Sequence, residues 1–159
     1  MRFKLVPPPP DDVEVVRDVQ RDVPLVPGSE ADCCVRIMDT LDIGSRDVAR
    51  TWLTFLRAIG LVGRSRRGFV RTGREPDRAT LAAGLKAGVL GASELVDALD
   101  REPTTADEAF GSVERLIPPW ERARDPNWEA IWRTRVDHLL GWLVLAGLAE
   151  RVDGGYVAA

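Results

Sequence analysis

The stretch SRDVARTWLTFLRAIGLV, residues 45–62, carries the strongest structural signal in this sequence of 159 residues. Ser45 is a good N-cap, and Gly60 is typical of the position just after a helix end, so the stretch predicts a helix over residues 46–59. At 100° per residue, the apolar side chains of this helix share one face and its arginines form a stripe on the opposite face. The apolar face holds Val48, Trp52, Phe55, Leu56 and Ile59, and the opposite stripe holds Arg46, Arg50 and Arg57 with Thr54 beside it.

The sequence on either side of this helix predicts the rest of a small domain. After Gly60, apolar and polar residues alternate. This pattern predicts two short strands, at residues 61–64 and 68–72, joined by a turn at residues 65–68. Before Ser45, apolar spacing and capping residues predict helices over residues 11–22 and 29–41. Three helices followed by a hairpin with a basic tip is the element order of a winged helix-turn-helix domain.

A second copy of this pattern follows at an offset of 87 residues. Gly60-Leu61-Val62 matches Gly147-Leu148-Ala149, and Gly68-Phe69-Val70 matches Gly155-Tyr156-Val157. Upstream of the second hairpin the sequence predicts further helices, at residues 77–87, 93–100, 105–116 and 126–146. We expect the chain to break at Pro118-Pro119, and the last of these helices to be capped by Asp125 and opened by Pro126.

We therefore predict a mainly α fold with small β-hairpin wings (α+β), built from two tandem winged helix-turn-helix units. Residues 1–10 are expected to form a short strand, through Phe3, Leu5 and Val6, and a stiff polyproline segment. Residues 11–74 are predicted to be the first winged helix-turn-helix domain, and residues 75–159 a degenerate second one.

The same residues carry a family resemblance. Residues 45–62 resemble the recognition helix and first wing strand of winged helix-turn-helix regulators, which show a polar start, an apolar helix and then Gly-Leu-Val. Four motifs further resemble a haloarchaeal winged-helix family over most of the chain: PLVPGS at residues 24–29, WLTFLRAIGL at 52–61, Trp128-Glu-x-x-Trp132 and Gly154-Gly-Tyr156. The resemblance implies the winged-helix fold and, for function, DNA binding.

Charge is distributed unevenly along the chain. The net charge is −3, which excludes a uniformly basic surface of the kind that coats nucleic acid. Residues 45–78, however, hold nine arginines against three acidic residues, a balance of +6, while residues 1–44 and 79–159 carry −4 and −5. A basic segment in an otherwise acidic protein is the electrostatic signature of phosphate contact.

The predicted recognition helix gives its polar residues distinct roles in DNA binding. Such a helix lies in the major groove with its N-terminal residues near the base edges, so Arg46 and Arg50 are placed to read bases, most often guanine. We expect Thr51 and Thr54 to contact phosphate or a thymine methyl group. Arg57 extends the same basic stripe toward the end of the helix.

The predicted wing supplies the remaining contacts. Its arginines Arg64, Arg66 and Arg67 are expected to reach phosphates or the minor groove. Arg71, together with Arg74 and Arg78, is expected only to position the protein on the backbone. The alternative is that this arginine-rich surface is solvated, or paired with the acidic second domain.

The second copy lacks most of these basic residues. Arg64, Arg66 and Arg67 correspond to Arg151, Asp153 and Gly154, and Arg50 and Arg57 correspond to Asp137 and Val144. DNA would repel such a surface, so we predict that the second domain is a scaffold that mediates homodimerisation or partner contact.

The long last helix carries more apolar side chains than one packing face needs. Trp142 and Val144 lie off its main apolar stripe, so they predict either a self-association surface, a ligand pocket or packing against the preceding helices. Three tryptophans and two arginines are candidates for an aromatic pocket that holds a small effector: Trp120, Trp128, Trp132, Arg124 and Arg135.

The residue inventory argues against an enzyme. His138 is the only histidine and Cys33-Cys34 the only cysteines, so the sequence offers neither the usual Cys/His zinc site nor a disulfide framework. We expect His138 and both cysteines to be structural, and no metal or cofactor to bind. The longest apolar run, residues 139–149, is shorter than the roughly 18 residues that a membrane helix needs, which predicts a cytoplasmic protein with no membrane contact.

These observations favour a non-enzymatic DNA-binding protein, a transcriptional regulator whose first domain contacts double-stranded DNA. The alternative is a tandem winged-helix module for protein–protein interaction that does not bind DNA. In that case the arginines of the predicted recognition helix would be covered by the second domain or by an acidic partner.

Overall fold

The computed structural model describes residues 5–159. The first unit consists of three helices and an antiparallel hairpin: α1 (Val13–Arg21), α2 (Glu30–Leu41), α3 (Arg46–Ala58), β1 (Val62–Ser65) and β2 (Gly68–Arg71). The second half holds five helices, a 3-10 turn and another hairpin: α4 (Arg78–Gly88), α5 (Ala92–Ala98), α6 (Ala106–Val113), the turn Glu114–Leu116, α7 (Pro119–Arg124), α8 (Trp128–Leu145), β3 (Ala149–Val152) and β4 (Gly155–Ala158). This is the predicted α+β double winged-helix fold, while the domain boundary at residues 74/75 stays a prediction.

Side-chain capping starts the helices where the sequence predicts them. The Ser29 hydroxyl accepts from the amide of Asp32 at the start of α2, and the Ser45 hydroxyl accepts from that of Val48 at the start of α3. Each bond satisfies one of the backbone donors that a helix leaves free at its N-terminus. The α3 bounds agree with the prediction to one residue, because these local signals are strong.

The helical run breaks at Pro118-Pro119 as predicted, since the 3-10 turn ends at Leu116. Pro119 is also the first residue of α7, a helix that the sequence did not predict, and at this position the missing amide hydrogen costs no helical bond. The predicted start of the long helix is wrong. The long helix begins at Trp128 rather than at Pro126. Asp125 ends α7, and its carboxylate accepts from the amide of Asn127, so the segment between the two helices is a turn.

The predicted N-terminal strand is also wrong where the structure describes it. Phe3 lies outside the described residues, and Leu5 and Val6 belong to no strand. The segment packs by its side chains instead, since Val6 is buried and the Pro7 carbonyl accepts from the indole of Trp142 (N···O 2.7 Å). A run of prolines has no amide hydrogens, so it cannot continue a strand ladder.

One aromatic cluster joins the two units. The Trp142 side chain of α8 is fully buried and packs against two rings on the apolar face of α3. Its ring centroid lies 4.5 Å from that of Phe55 and 5.5 Å from that of Trp52. The buried apolar residues of both units therefore form one continuous core, and the off-stripe position of Trp142 is explained by packing across the units.

Glycines allow the close approach of neighbouring elements around this cluster. A Cβ atom on Gly84 or Gly88 of α4 would overlap the backbone at Ile59 and Ala58, at the end of α3. A Cβ on Gly141 of α8 would overlap the ring of Pro9. Helix α4 therefore packs closely on the end of α3, and the polyproline segment packs closely on α8.

The contact between Phe55 and Trp142 relates equivalent positions of the two units, since their numbers differ by the repeat offset of 87. In a twofold symmetric dimer, a residue near the axis contacts its own copy. A contact between equivalent positions is what a twofold relation between the two units would produce.

A double-mutant cycle tests this packing. We expect Phe55→Leu and Trp142→Leu to be coupled by about 0.5–1.5 kcal/mol in the free energy of unfolding, because the two aromatic rings are in direct contact. Urea unfolding of the wild type, both single variants and the double variant measures the coupling.

The control cycle pairs Phe55→Leu with Trp132→Leu. Trp132 lies ten residues before Trp142 on α8, about 15 Å along the helix, so this pair should be additive within about 0.5 kcal/mol. Equal coupling energies in the two cycles would contradict a specific contact between Phe55 and Trp142.

Candidate nucleic-acid interface

The outward face of α3 carries the predicted stripe of arginines. Arg46, Arg50 and Arg57 are all exposed, while the opposite face of the helix is buried in the core. Arg46 and Arg57 form no ion pair among the described residues. The second unit therefore leaves this face of α3 uncovered.

Arg46 is unfavourable for the stability of α3. It is the first residue of the helix, where the helix dipole favours acidic side chains over basic ones. It also lies one turn from Arg50, and like charges at this spacing repel each other. A local conflict with no compensating contact is typical of a functional residue. Arg57, in the last turn of α3, is by contrast favoured by the dipole.

Arg50 is engaged within the first unit. Its guanidinium donates to Glu30 of α2 (N···O 2.8 Å) and lies 3.5 Å from Asp47. Ion pairs at such exposure contribute about 0–1 kcal/mol to stability, so a phosphate or a base edge can replace Glu30. Arg50 thus ties α2 to α3 in the protein without ligand, a partner that the sequence did not reveal.

The two threonines of α3 use their hydroxyl hydrogens within the helix. The Thr51 hydroxyl donates to the Asp47 carbonyl (3.0 Å), and the Thr54 hydroxyl donates to the carbonyls of Arg50 and Thr51 (3.1 Å each). Both side chains are half-buried. Thr54 lies beside the arginine stripe, whereas Thr51 lines a groove between α3 and α8.

The wing brings three arginines to one hairpin. Arg64 lies in β1 and stacks on the ring of Phe69, which is its cross-strand partner (5.1 Å to the ring centroid). Arg66 and Arg67 form the exposed tip and have no ion-pair partner among the described residues. The turn itself is held by Ser65, whose hydroxyl accepts from the Arg67 amide.

Arg71 has a structural contact in addition to its predicted role. It is half-buried at the end of β2, and its guanidinium donates to the Val23 carbonyl just after α1 (3.1 Å). Its amide donates to the Pro24 carbonyl (2.8 Å). Arg71 therefore fixes the wing to the loop between α1 and α2, which a pattern of nearby residues could not predict.

A third backbone segment pairs with the base of each wing. In the first unit, Gly28 and Phe69 exchange two hydrogen bonds of 2.9 and 2.8 Å, and in the second unit Thr104 and Tyr156 do the same at 2.8 and 2.9 Å. Phe69 and Tyr156 are again separated by the repeat offset. In both units this bridge directly precedes the N-cap of a helix, at Ser29 and at Thr105.

The stacked arginine is repeated as well. Arg151 lies over the ring of Tyr156 (5.5 Å), as Arg64 lies over that of Phe69. A contact found in both wings is explained by the stability of the hairpin, since cation–π pairs at exposed sites contribute about 0.5–1 kcal/mol. The tips differ, because Asp153 and Gly154 replace Arg66 and Arg67.

A family model described as the Halobacterial double winged helix domain matches residues 1–159. The chain belongs to this family. A search of curated proteins and a search of solved structures each found no match. The family agrees with the resemblance drawn from the sequence and with the two winged-helix units of the structure.

The two recognition-helix positions of the double winged helix also differ in the pairing of their charges. Arg133 of α8 is the counterpart of Arg46, and it pairs with Asp107 and Glu129 and stacks on Phe110. The hydrogen bond to Glu129 raises its pKa above the usual range. Arg133 is thus neutralised by its neighbours, whereas Arg46 is not.

The predicted aromatic pocket is brought together in the second unit. A cavity of about 230 Å³ is lined by all five candidates, Trp120, Trp128, Trp132, Arg124 and Arg135, together with Glu121, Asp125 and Ile131. Arg122, outside this set, stacks on Trp128 (4.7 Å) and donates to the Glu114 carbonyl (2.7 Å). The cavity lies at α7, the helix that the sequence did not predict, while its effector role stays a prediction.

The other titratable candidates have structural surroundings. Cys33 and Cys34 are fully buried, and burial raises the pKa of both thiols, so they stay protonated at neutral pH. His138 is half-buried beside the groove between α3 and α8. Among residues 5–159, no group of three or more His, Cys, Asp and Glu side chains is arranged to hold a metal ion, and no helix has the length and hydropathy to span a membrane.

The base of the first wing makes a testable prediction. Gly68 has a φ of +136°, and a Cβ there would overlap the Gly28 carbonyl, so we expect Gly68→Ala to destabilise the protein by about 2–4 kcal/mol. Gly73→Ala is the control, because nothing lies within 4 Å of a Cβ at that position. The control should change stability by less than about 1 kcal/mol in urea unfolding. Equal stability of the two variants would show that the bridge does not anchor the wing.

Proposed function

We propose that this double winged helix protein binds double-stranded DNA through its first unit and acts as a non-enzymatic transcriptional regulator in the cytoplasm. The observation that carries the proposal is the contrast between the two units. At equivalent positions, the first unit has the exposed Arg46, Arg66 and Arg67, which have no ion-pair partner among residues 5–159, and the second has the paired Arg133 with Asp153 and Gly154.

In this proposal, α3 enters the major groove with its N-terminus near the bases. Arg46 reads a base edge, Arg50 exchanges Glu30 for a base or phosphate, and Arg57 contacts the backbone. The wing tip, Arg66 and Arg67, reaches phosphates or the minor groove. Thr54 approaches the DNA backbone beside the arginine stripe. The Thr51 hydroxyl already donates its hydrogen within the helix, so Thr51 can contact DNA only through its oxygen lone pairs and its methyl group.

The second unit orients the first and supplies a surface for a homodimer or another partner. The Trp142 side chain is buried between the two units, so such a surface must involve other residues. Trp120, Ile131 and Val152 are the large apolar side chains of this unit that remain exposed.

A module for protein–protein interaction is the second candidate function. Three large apolar side chains of the first unit favour it, since Leu25, Val26 and Val35 are 72%, 70% and 63% exposed. Exposed apolar residues close in sequence are typical of interaction surfaces. This candidate requires no DNA affinity.

The salt dependence of DNA binding separates the two candidates. Fluorescence anisotropy of a short labelled duplex should give a log–log slope of affinity against salt of roughly −5, as expected for six phosphate contacts. Circular dichroism at each salt concentration verifies that the protein is folded. At 1 M salt the Debye length is about 3 Å, so affinity remaining there reports direct contacts. Absence of binding at every salt concentration would favour the interaction module.

Replacing the two tip residues of the first wing by those of the second wing tests the proposed DNA contact of the wing. Arg66→Asp/Arg67→Gly should reduce the magnitude of the salt slope by about 2, because two phosphate contacts are lost. The matched control, Arg101→Asp/Arg115→Gln, makes the same change in net charge at exposed arginines of the second half. Equal losses of affinity in the two variants would indicate a nonspecific charge effect and contradict the proposed wing contact.

A further inference from the structure

A groove of about 400 Å³ runs between α3 and α8. Its volume is within the range of pockets that hold small organic ligands. Its walls are mostly apolar, and α3, α8 and the N-terminal segment all contribute to them: Val48, Thr51, Ile131, Arg135, His138 and residues 5–8.

The charged group in this groove, Arg135, lacks adequate partners. Its Nε and Nη1 atoms are buried and make no hydrogen bond. Its one ion-pair partner among the described residues, Oε2 of Glu121, lies 3.8 Å from Nη1 and already accepts from the indole of Trp132 (2.9 Å). Arg135 otherwise stacks on the ring of Trp132 (4.8 Å).

Leaving two buried guanidinium nitrogens without hydrogen-bond partners is unfavourable. Burial lowers the pKa of Arg135, which is the direction expected when the charged form loses hydration. Buried polar groups in folded proteins nearly always have hydrogen-bond partners, so each exception requires an explanation. Arg135 also lines the adjoining tryptophan cavity and a small apolar cavity of about 10 Å³ beside Val113 and Leu139, so its side chain borders three cavities.

We propose that the groove between α3 and α8 binds a small organic carboxylate, whose charged end pairs with Arg135 and whose apolar body lies against Ile131 and Val48. A hydrogen bond between a guanidinium and a carboxylate is charge-assisted and is therefore about twice as strong as one between neutral groups. A carboxylate carries one negative charge, and Arg135 is the one Lys or Arg side chain among the described lining residues. The apolar walls favour a hydrocarbon or aromatic body.

The groove also connects this ligand to the proposed DNA interface. Val48 and Thr51 lie in the first half of α3, next to Asp47 and Arg50. A ligand in contact with them would bias the position of α3, and such regulation rests on the proposed function. The binding of the carboxylate itself does not.

Titration of the ¹⁵N-labelled full chain with 4-phenylbutyrate tests the site without DNA. We expect saturable shifts of the Arg135 Nε–H signal and of the Trp132 indole signal. The neutral isostere 4-phenylbutyramide should bind at least about tenfold more weakly, because it lacks the charge-assisted hydrogen bonds. Equal affinity for the two compounds, or no saturable shift with either, would overturn the proposal.

Two variants locate the ligand. Arg135→Met should abolish the preference for 4-phenylbutyrate over the amide, while Arg124→Met, in the adjoining cavity only, should retain it. The opposite pattern would place the ligand in the tryptophan cavity and overturn the assignment to the groove.

Thermal unfolding distinguishes a ligand-binding arginine from a structural one. We expect Arg135→Met to keep the melting temperature of the wild type within about 2–4 °C, because it removes two unsatisfied buried donors. A larger loss would mean that Arg135 is structural and would contradict the proposal. If Arg135→Met does not fold, Arg135→Lys provides the binding test, since an ammonium lacks the guanidinium fork and should weaken binding of 4-phenylbutyrate.

Discussion

The burial of Trp142 between the two units is the contact on which the arrangement of this protein depends. Its ring packs on Phe55 and Trp52 of α3, and its indole N–H is satisfied by the Pro7 carbonyl. The apolar face of α3 is therefore covered from both units, and only its arginine face remains for solvent or a ligand. Pro7, which accepts from this indole, also lines the groove that contains Arg135, so the burial of Trp142 and the groove share one residue.

The internal repeat separates structural features from candidates for function. A feature present in both units, such as the bridge at Gly28 or Thr104 and the arginine stacked on Phe69 or Tyr156, is explained by the winged-helix fold. A feature present in only one unit requires another explanation. The basic wing tip belongs to this second class, and so does an unpaired arginine at the start of α3. Comparison within one chain thus serves the purpose that an alignment of relatives would serve.

The sequence predicted the features that depend on local signals. Capping serines, helical spacing and the glycines of the hairpins define α2, α3 and both wings to within one or two residues, because these signals act over a few positions. The sequence did not predict contacts between distant residues. The pairing of Arg50 with Glu30, the anchoring of Arg71 on Val23 and the packing of Trp142 on Phe55 join residues from 20 to 87 positions apart. Helix α7 was missed for a different reason, since its first residue is a proline that was interpreted as a break.

In the proposed function, duplex DNA contacts the first unit and not the second. Arginine Nε–H signals of the ¹⁵N-labelled protein, recorded during titration with a short duplex, measure this directly because every relevant side chain reports separately. The predicted result is that the signals of Arg46, Arg57, Arg66 and Arg67 shift on binding, while those of Arg133 and Arg151 do not. Equal shifts in both units, or no shift at saturating DNA, would contradict it.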